Sequence, residues 1–503
     1  MPPVTAPFPL VPVSGAHPAT GLPRGSAAPP WAGLAPPLRV PTLGLQRLLR
    51  NTLLICGLLL VNKLGTAGAV VFFGVLTVMI ARSSSAAFLA LLLAGVGLMS
   101  NGMIVPKNAI WTVARLAILF VCLARFTLDL SHTRRSLVTQ PYFIALMLFV
   151  AAAAICSLAS GYFVHIALLK LVGFTVGLTA VLGGVEVLRD RRVDLTPWFV
   201  ATAGAIVVNG FLTTVIGGAY ATSIDDTRVL YFQGPFYHAN ACGPFSAMLA
   251  VLLFSTWLFG RYPGRWVCLV LTMPLLYFIW LSRSRTGGAS LVLGLFLVFV
   301  LTYMPAARRF VRGRLTMSRG CLVAVGVMLA LAGIVVDLAT RGAVIQALRG
   351  FMFKYAIDTK SGSVLSSRQG LIEASWQIFL ERPLFGLGFE VSLNPYFVQN
   401  ATLFTAPIEK GFLPTAILEE VGIFGTVPFV LFLLTLIASL WGRRNAVGLA
   451  MLMTFLATNL GEVLIFAFGG PGLLSWMLVA AGILIGEQCL VPRQPPLLRP
   501  AMR

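Results

Sequence analysis

Again and again along this chain, about 20 residues pass without a charged side chain, and that is the length an α-helix needs to cross ~30 Å of hydrocarbon. Apolar residues make up 58% of the chain and charged residues 11%, against roughly 45–50% and 25% in an ordinary soluble domain. A water-facing surface cannot be built from that mixture. The apolar runs centre roughly on residues 57, 73, 92, 118, 150, 175, 207, 251, 273, 295, 329, 427, 452 and 478. They predict an all-α integral membrane protein with about 12–14 transmembrane helices and one long extracytoplasmic loop.

The net charge of +21 resembles that of a nucleic-acid binder, but no basic stripe with interleaved aromatics accompanies it. The arginines instead sit in short clusters between apolar runs, where they set topology. With the N-terminus inside, the cytoplasmic connections receive Arg82, Arg134, Arg135, Arg189, Arg191, Arg192, Arg261, Arg265, Arg308, Arg309, Arg312, Arg314, Arg319, Arg443 and Arg444. The short outer connections receive little beyond Lys63 and Lys107. Both termini are then cytoplasmic in a multi-pass membrane protein. Residues 1–45 are rich in Pro, Ala and Gly and read as a disordered cytoplasmic tail. Residues 46–339 read as N-terminal transmembrane helices, 340–413 as a large extracytoplasmic loop, 414–487 as C-terminal transmembrane helices and 488–503 as a basic cytoplasmic tail. The first apolar run begins near Thr52, behind the tail, so the first helix is expected to serve as an uncleaved anchor. The seven cysteines lie in or beside apolar runs without paired spacing, so neither a zinc site nor a disulfide framework is predicted.

Polar residues gather in three outer segments: Tyr220 to Cys242, the turn Ser282 to Thr286, and the loop from about Thr340 to Gly411. A connection of about 70 residues exceeds what a mere linker needs. Within it, Leu371 to Leu380 predicts a short amphipathic helix ended by Arg382-Pro383. Arg283 and Arg285 stand at a membrane boundary, where a guanidinium usually faces a cavity or partner and its planar fork suits bidentate binding of a diphosphate. Snorkelling to the interface is the simpler alternative. The long loop adds Arg368, Glu373, Trp376, Arg382 and the Gly386-Leu387-Gly388 turn on the same side; a surface salt bridge between Arg368 and Glu373 is their plainer reading. Tyr237, His238 and Asn240 mix an aromatic face with polar groups, as sugar contacts do. Glu419 and Glu420 fall just inside a span, where a carboxylate is costly and a functional candidate, or else the partner of an outer arginine. Asp225-Asp226 lacks the ligand count a hard cation requires, so no metal and no cofactor is predicted.

Three stretches together resemble the O-antigen ligase and polymerase-like membrane proteins, which include exopolysaccharide polymerases. Phe236-Tyr237-His238-Ala239-Asn240-Ala241-Cys242-Gly243 resembles the family's H-P-N-x-x-G, with Ala239 for Pro. Leu281 to Gly287 is similar to its S-R-[TG]-G turn. Arg368 through Gly388 resembles R-x(7)-W-x(5)-R/H-P-L-x-G-x-G. The likeness covers roughly Val200 to Gly425. It implies an undecaprenyl-diphosphate-linked saccharide as donor, gripped through its diphosphate by Arg285 and Arg368 with help from Arg283 or Arg382, and sugar contacts from Tyr237, Asn240 and Trp376. It also implies a second lipid-linked repeat unit as acceptor, with Glu420, Glu373 or His238 taking the acceptor proton. Membrane lipid, a flippase and a chain-length regulator are the expected partners, and nucleic acid is not. Family ligases carry a His-Asn pair about ten residues before an E-x-G. Here Glu420-Val421-Gly422 keeps the E-x-G, but Lys410, Gly411 and Phe412 stand upstream. That departure favours a polymerase over a ligase joining polysaccharide to lipid A core. A flippase or transporter of lipid-linked saccharide, and a non-catalytic scaffold, are the alternatives from other classes.

Overall fold

The computed structural model describes residues 44–107, 109–131, 137–222, 230–260, 264–303, 366–393 and 410–490. In hydrocarbon every backbone N–H and C=O must find its partner within the protein, and a helix does this locally. The apolar runs accordingly form α1 (Leu45–Leu60), α2 (Thr66–Arg82), α3 (Ser84–Met99), α4 (Ala109–Leu130), α5 (Pro141–Ser160), α6 (Val164–Asp190) and α7 (Thr196–Val215). They continue as α8 (Ala239–Phe259), α9 (Trp266–Ser282), α10 (Arg285–Tyr303), α11 (Ser366–Glu381), α12 (Leu413–Gly442), α13 (Ala446–Asn459) and α14 (Pro471–Leu490). An antiparallel pair, β1 (Tyr220–Thr222) and β2 (Leu230–Phe232), sets Tyr220 opposite Phe232. Every apolar centre read from the sequence falls within one of these helices except that near residue 329, which lies outside the described residues. Both tails and much of the long loop lie outside them too.

Among the described residues six helices, α5, α6, α7, α8, α12 and α14, are long and apolar enough to cross a membrane. The chain is an all-α, multi-pass membrane protein. Burial sorts these helices by place. The apolar window of α8 is 94% buried in protein and that of α12 only 33%. A helix apolar all round and covered all round is central, so α8 is the axis of the bundle. In α12, Val427, Val430, Leu431 and Leu434 stay exposed, a face that only lipid covers without cost.

Helices α5 and α12 pack side by side and antiparallel. Near one end, Cys156 of α5 meets the Val421 carbonyl; near the other, Tyr142 of α5 donates to Glu186, which also accepts from Arg443 just past α12. The Arg443 end collects Arg189 and Arg443 on Glu186, and Arg125 and Arg191 on Asp129. At ~1.5 Å per residue this charged end lies roughly 35 Å along α12 from Glu420. Between the two ends, Phe149, Phe174, Phe429 and Phe466 interlock, and Phe389 from the segment after α11 inserts among them. That plug anchors the loop to the helices and positions the residues that come after it in the chain.

Helix α11 extends N-terminal of Leu371 and includes Ser366. Its first turn, Ser366 to Gln369, is polar throughout, so apolar periodicity alone could not reveal it.

Candidate functional site

Helix α12 is broken. Gly422 sits at φ 58°, ψ −164° inside it, a conformation essentially restricted to glycine. A continuous helix would bond the Ile423 and Phe424 N–H groups to the carbonyls of Glu419 and Glu420. Instead the segment Pro383 to Gly388 inserts between them. Ile423 N–H donates to Pro383 O at 2.8 Å and Phe424 N–H to Leu384 O at 3.1 Å. The abandoned carbonyls are reclaimed by Leu387 N–H on Glu419 O at 2.9 Å and Gly388 N–H on Glu420 O at 2.7 Å. Two helical bonds are thus exchanged for four, and these four backbone groups at the break all keep a partner.

The exchange demands glycine on both sides. A Cβ on Gly386 (φ 63°) would stand 2.5 Å from Glu419 O, and one on Gly422 would stand 2.3 Å from Leu384 O. The glycines of the L-x-G-x-G stretch and of E-x-G are therefore two halves of one interlock.

The break aims Glu419 and Glu420 into the protein, each 2% exposed. Glu419 accepts from Ser375 Oγ of α11 at 2.6 Å and lies 3.3 Å from Lys410 Nζ. Glu420 lies 3.0 Å from Lys410 Nζ and accepts from the Glu390 backbone N–H at 2.9 Å. Lys410 also donates to Val391 O at 2.7 Å. One ammonium thus serves two carboxylates, and the partner of Glu419 and Glu420 is this lysine rather than an outer arginine. Burial by itself would lower the Lys410 amine, but the two carboxylates outweigh it and hold it above the ordinary lysine value.

Beside this cluster Glu390 adopts φ 52°, left-handed and unusual for a glutamate. Phe389 on its N-terminal side is fixed by the aromatic plug and by donation to Ser157 Oγ at 3.1 Å. The Glu390 carbonyl is held by Lys170 Nζ of α6 at 2.9 Å. Burial pushes the Glu390 carboxyl up to about 7; Glu420 adds to the rise, and Lys170 and Lys410 oppose it.

The other polar segments join this centre through a chain of close contacts. Asn101, just past α3, donates to the carbonyls of Gly218 and Gly234 at 2.8 Å each, and Tyr237 N–H donates to Met99 O at 3.0 Å. These bonds fix the segment leading into α8. His238 caps α8, its Nδ1 accepting from Asn240 N–H at 3.1 Å. Gly243 and Gly287 let α8 and α10 touch: a Cβ on Gly287 would stand 2.5 Å from the Gly243 carbonyl carbon. Thr286 in turn packs against Gly461, beside Glu462, which forms an ion pair with Arg368. Arg368 also reaches Gly411 O at 3.5 Å, next to Lys410. The three motif-bearing stretches and the E-x-G therefore form one contiguous cluster at the end of the bundle opposite the Arg443 end.

Individual candidates occupy different parts of it. Arg285 is half-buried in the first turn of α10, and Arg283 is exposed in a left-handed conformation at φ 49°. Arg368 bonds Glu462, not Glu373; Glu373 is exposed and accepts from Gln369 at 2.7 Å. Arg382 donates to Tyr162 OH at 3.0 Å and lies over that ring. Tyr237 and Trp376 are exposed and Asn240 is half-buried. Asp225 and Asp226 lie outside the described residues. Among the described residues no three of His, Cys, Asp and Glu gather closely enough to hold a metal ion.

Sequence reasoning passed over Lys170, Glu390, Glu462 and Ser375. Lys170 and Glu462 each carried a usable signal, because a lone charge in an apolar run is costly enough to ask for a reason. Glu390 and Ser375 carried none. Comparison with protein-family models and with curated proteins returns no match for this chain.

Proposed function

We propose that this chain is a lipid-dependent glycosyltransferase acting on the non-cytoplasmic face of a bacterial inner membrane, where it polymerises undecaprenyl-diphosphate-linked oligosaccharide repeat units during surface-polysaccharide synthesis. The observation that carries the reading is the contiguity of the Phe236–Gly243, Leu281–Gly287 and Arg368–Gly388 stretches around a buried carboxylate–lysine cluster. These stretches are far apart in sequence, and bundle architecture alone gives no reason for them to meet. Outside the cytoplasm a transferase has no nucleotide sugar, so its donor arrives already activated on a lipid. Arg285 and Arg368, with Arg283 or Arg382, grip the diphosphate and stabilise the charge it gains as the anomeric carbon is attacked. Tyr237, Asn240 and Trp376 contact the sugar. A carboxylate of the cluster, or His238 at its rim, takes the proton of the acceptor hydroxyl. The N- and C-termini are cytoplasmic in this reading, and the Arg443 end faces the cytoplasm, in keeping with the positive-inside rule.

The test is direct. Arg285→Ala and Arg285→Lys are expressed in a strain that depends on this gene, and polymer length is followed on gels. Both variants shorten or abolish polymer, Lys included, because an ammonium cannot reproduce a bidentate fork. Full-length polymer from both at normal abundance overturns the diphosphate role.

A transporter of lipid-linked saccharide is the second reading, favoured by the broken helix with charged groups at the break. Its expected location for such a break is near the bilayer midplane. Gly422 lies nine residues after Leu413, roughly 14 Å into a helix of about 45 Å, and so nearer one end. Reconstituted vesicles separate the two readings, since a transporter moves substrate without forming a glycosidic bond.

A further inference from the structure

We propose that Glu390 is the general base of the reaction, the group that receives the proton of the acceptor hydroxyl. This inference rests on the glycosyltransferase reading above and names the catalytic group that reading leaves open.

The geometry singles out Glu390 among the three carboxylates of the cluster. Glu419 and Glu420 are committed: each is 2% exposed and shares Lys410, and their remaining oxygens accept from Ser375 Oγ and from the Glu390 N–H. An acceptor hydroxyl would have to displace one of these partners to reach either carboxylate. Glu390 keeps partial exposure where Glu419 and Glu420 are buried. Its backbone, by contrast, is fixed at every point. The N–H goes to Glu420, the C=O receives Lys170, Phe389 before it fills the aromatic core, and Val391 after it receives Lys410. A left-handed glutamate costs energy, and these four anchors hold it there. Such over-determination of a strained residue serves to aim a side chain.

Among the described residues, the charged groups facing Glu390 are Lys170 from α6, Lys410 from the segment before α12, and Glu420 from α12, with Glu419 one step beyond on Lys410. The rise of Glu390 to about 7 matches a base that must both accept and release a proton near neutrality.

Atoms and electrons balance in a single displacement. As the acceptor oxygen bonds the anomeric carbon, its O–H bond breaks and the proton passes to the Glu390 carboxylate. The bond between the anomeric carbon and the phosphate oxygen breaks with its electron pair going to the departing lipid diphosphate, whose charge the arginines receive. Glu390 then returns the proton to solvent.

The experiment uses the full chain reconstituted in vesicles with a lipid-linked repeat unit, scored for polymer across pH. Glu390→Asn removes the carboxylate while suiting the left-handed backbone, and Glu390→Asp restores a carboxylate on a shorter arm. The wild type is expected to lose kcat as pH falls through about 7, because the base must be ionised. Glu390→Asn lowers kcat by about 100-fold or more, leaves KM for the donor within about three-fold, and loses that acidic limb; Glu390→Asp recovers part of the rate. Lys170→Met, which removes an opposing cation, moves the limb to higher pH, a shift that a merely structural Glu390 would not show and that decides the matter even if Glu390→Asn folds poorly. A limb unmoved in Lys170→Met, or a Glu390→Asn enzyme with the wild-type rate and limb, overturns the assignment. A wild-type protein that forms no glycosidic bond at any pH overturns the glycosyltransferase reading instead, so the two failures are distinct.

Discussion

Lys410→Met is the perturbation on which the buried cluster can be judged most directly. The lysine is 6% exposed and stands within 3.3 Å of Glu419 and 3.0 Å of Glu420. Methionine keeps the apolar stem but removes the charge that two buried carboxylates share. Breaking a buried pair by deleting one partner costs ~3–5 kcal/mol, and the bond to Val391 O contributes another ~1 kcal/mol. These terms overlap, so the expected loss is about 4 kcal/mol. In the wild type the lysine lies above its ordinary value. Its contribution is therefore fully present below the unfolded lysine pKa of about 10.4 and lost only as pH rises through the folded value. Adding Glu420→Gln to Lys410→Met removes one of the stranded carboxylates, and the double variant should recover ~1–3 kcal/mol. Reversible SDS unfolding in mixed micelles, followed by far-UV circular dichroism, measures all three proteins. A Lys410→Met protein within ~1 kcal/mol of wild type, or strict additivity in the double variant, would refute the claim that one ammonium holds both carboxylates.

Two further expectations concern backbone geometry. Gly422→Ala forces a Cβ to 2.3 Å from Leu384 O in a region open essentially to glycine alone; it should cost about 3 kcal/mol from strain and weakened interlock bonds, seen as a lower SDS midpoint and loss of polymer. Asn101→Ala removes the donor to the Gly218 and Gly234 carbonyls and the acceptor of Met103 N–H; at ~1 kcal/mol per bond the loss is about 2–3 kcal/mol, and limited proteolysis should open the segment between β2 and α8 first.

How far each feature is legible in the sequence depends on its physics. A span announces itself because hydrocarbon tolerates no unpaired backbone and few charges, so almost every helix position can be read from residue types alone. The contiguity of His238, Arg285 and Arg368 is inferred from common sidedness, which fixes an end of the bundle but not a neighbour. The glycine contacts Gly243–Gly287 and Thr286–Gly461 that join these residues are invisible in one dimension. Gly386 and Gly422 show the same limit more sharply. Each reads singly as a turn former, yet their reason lies in each other's backbone. Arg368 has Glu373 as a near neighbour on the same helix, whereas its carboxylate comes from Glu462, 94 residues away. A helical pairing rule can find only the first of these.

The Arg368–Glu462 pair poses the last question of the proposed site, because a guanidinium already neutralised by a carboxylate is a strange grip for a diphosphate. Glu462 accepts from Nη2 of Arg368 and Gly411 O from Nη1 at 3.5 Å, so the carboxylate both orients the planar fork and offsets part of its charge. Orientation and neutralisation then pull in opposite directions. Glu462→Gln retains a hydrogen-bond acceptor and the side-chain shape but removes the negative charge, leaving a more positive field for an anionic donor. If neutralisation is the larger effect, donor KM falls; a gain of ~1 kcal/mol corresponds to about five-fold. Steady-state kinetics with the lipid-linked unit, at low and high salt, reads this out, and the gain should shrink at high salt as screening sets in. An unchanged or higher KM means instead that Glu462 serves Arg368 by aiming it, and the electrostatic half of the argument fails.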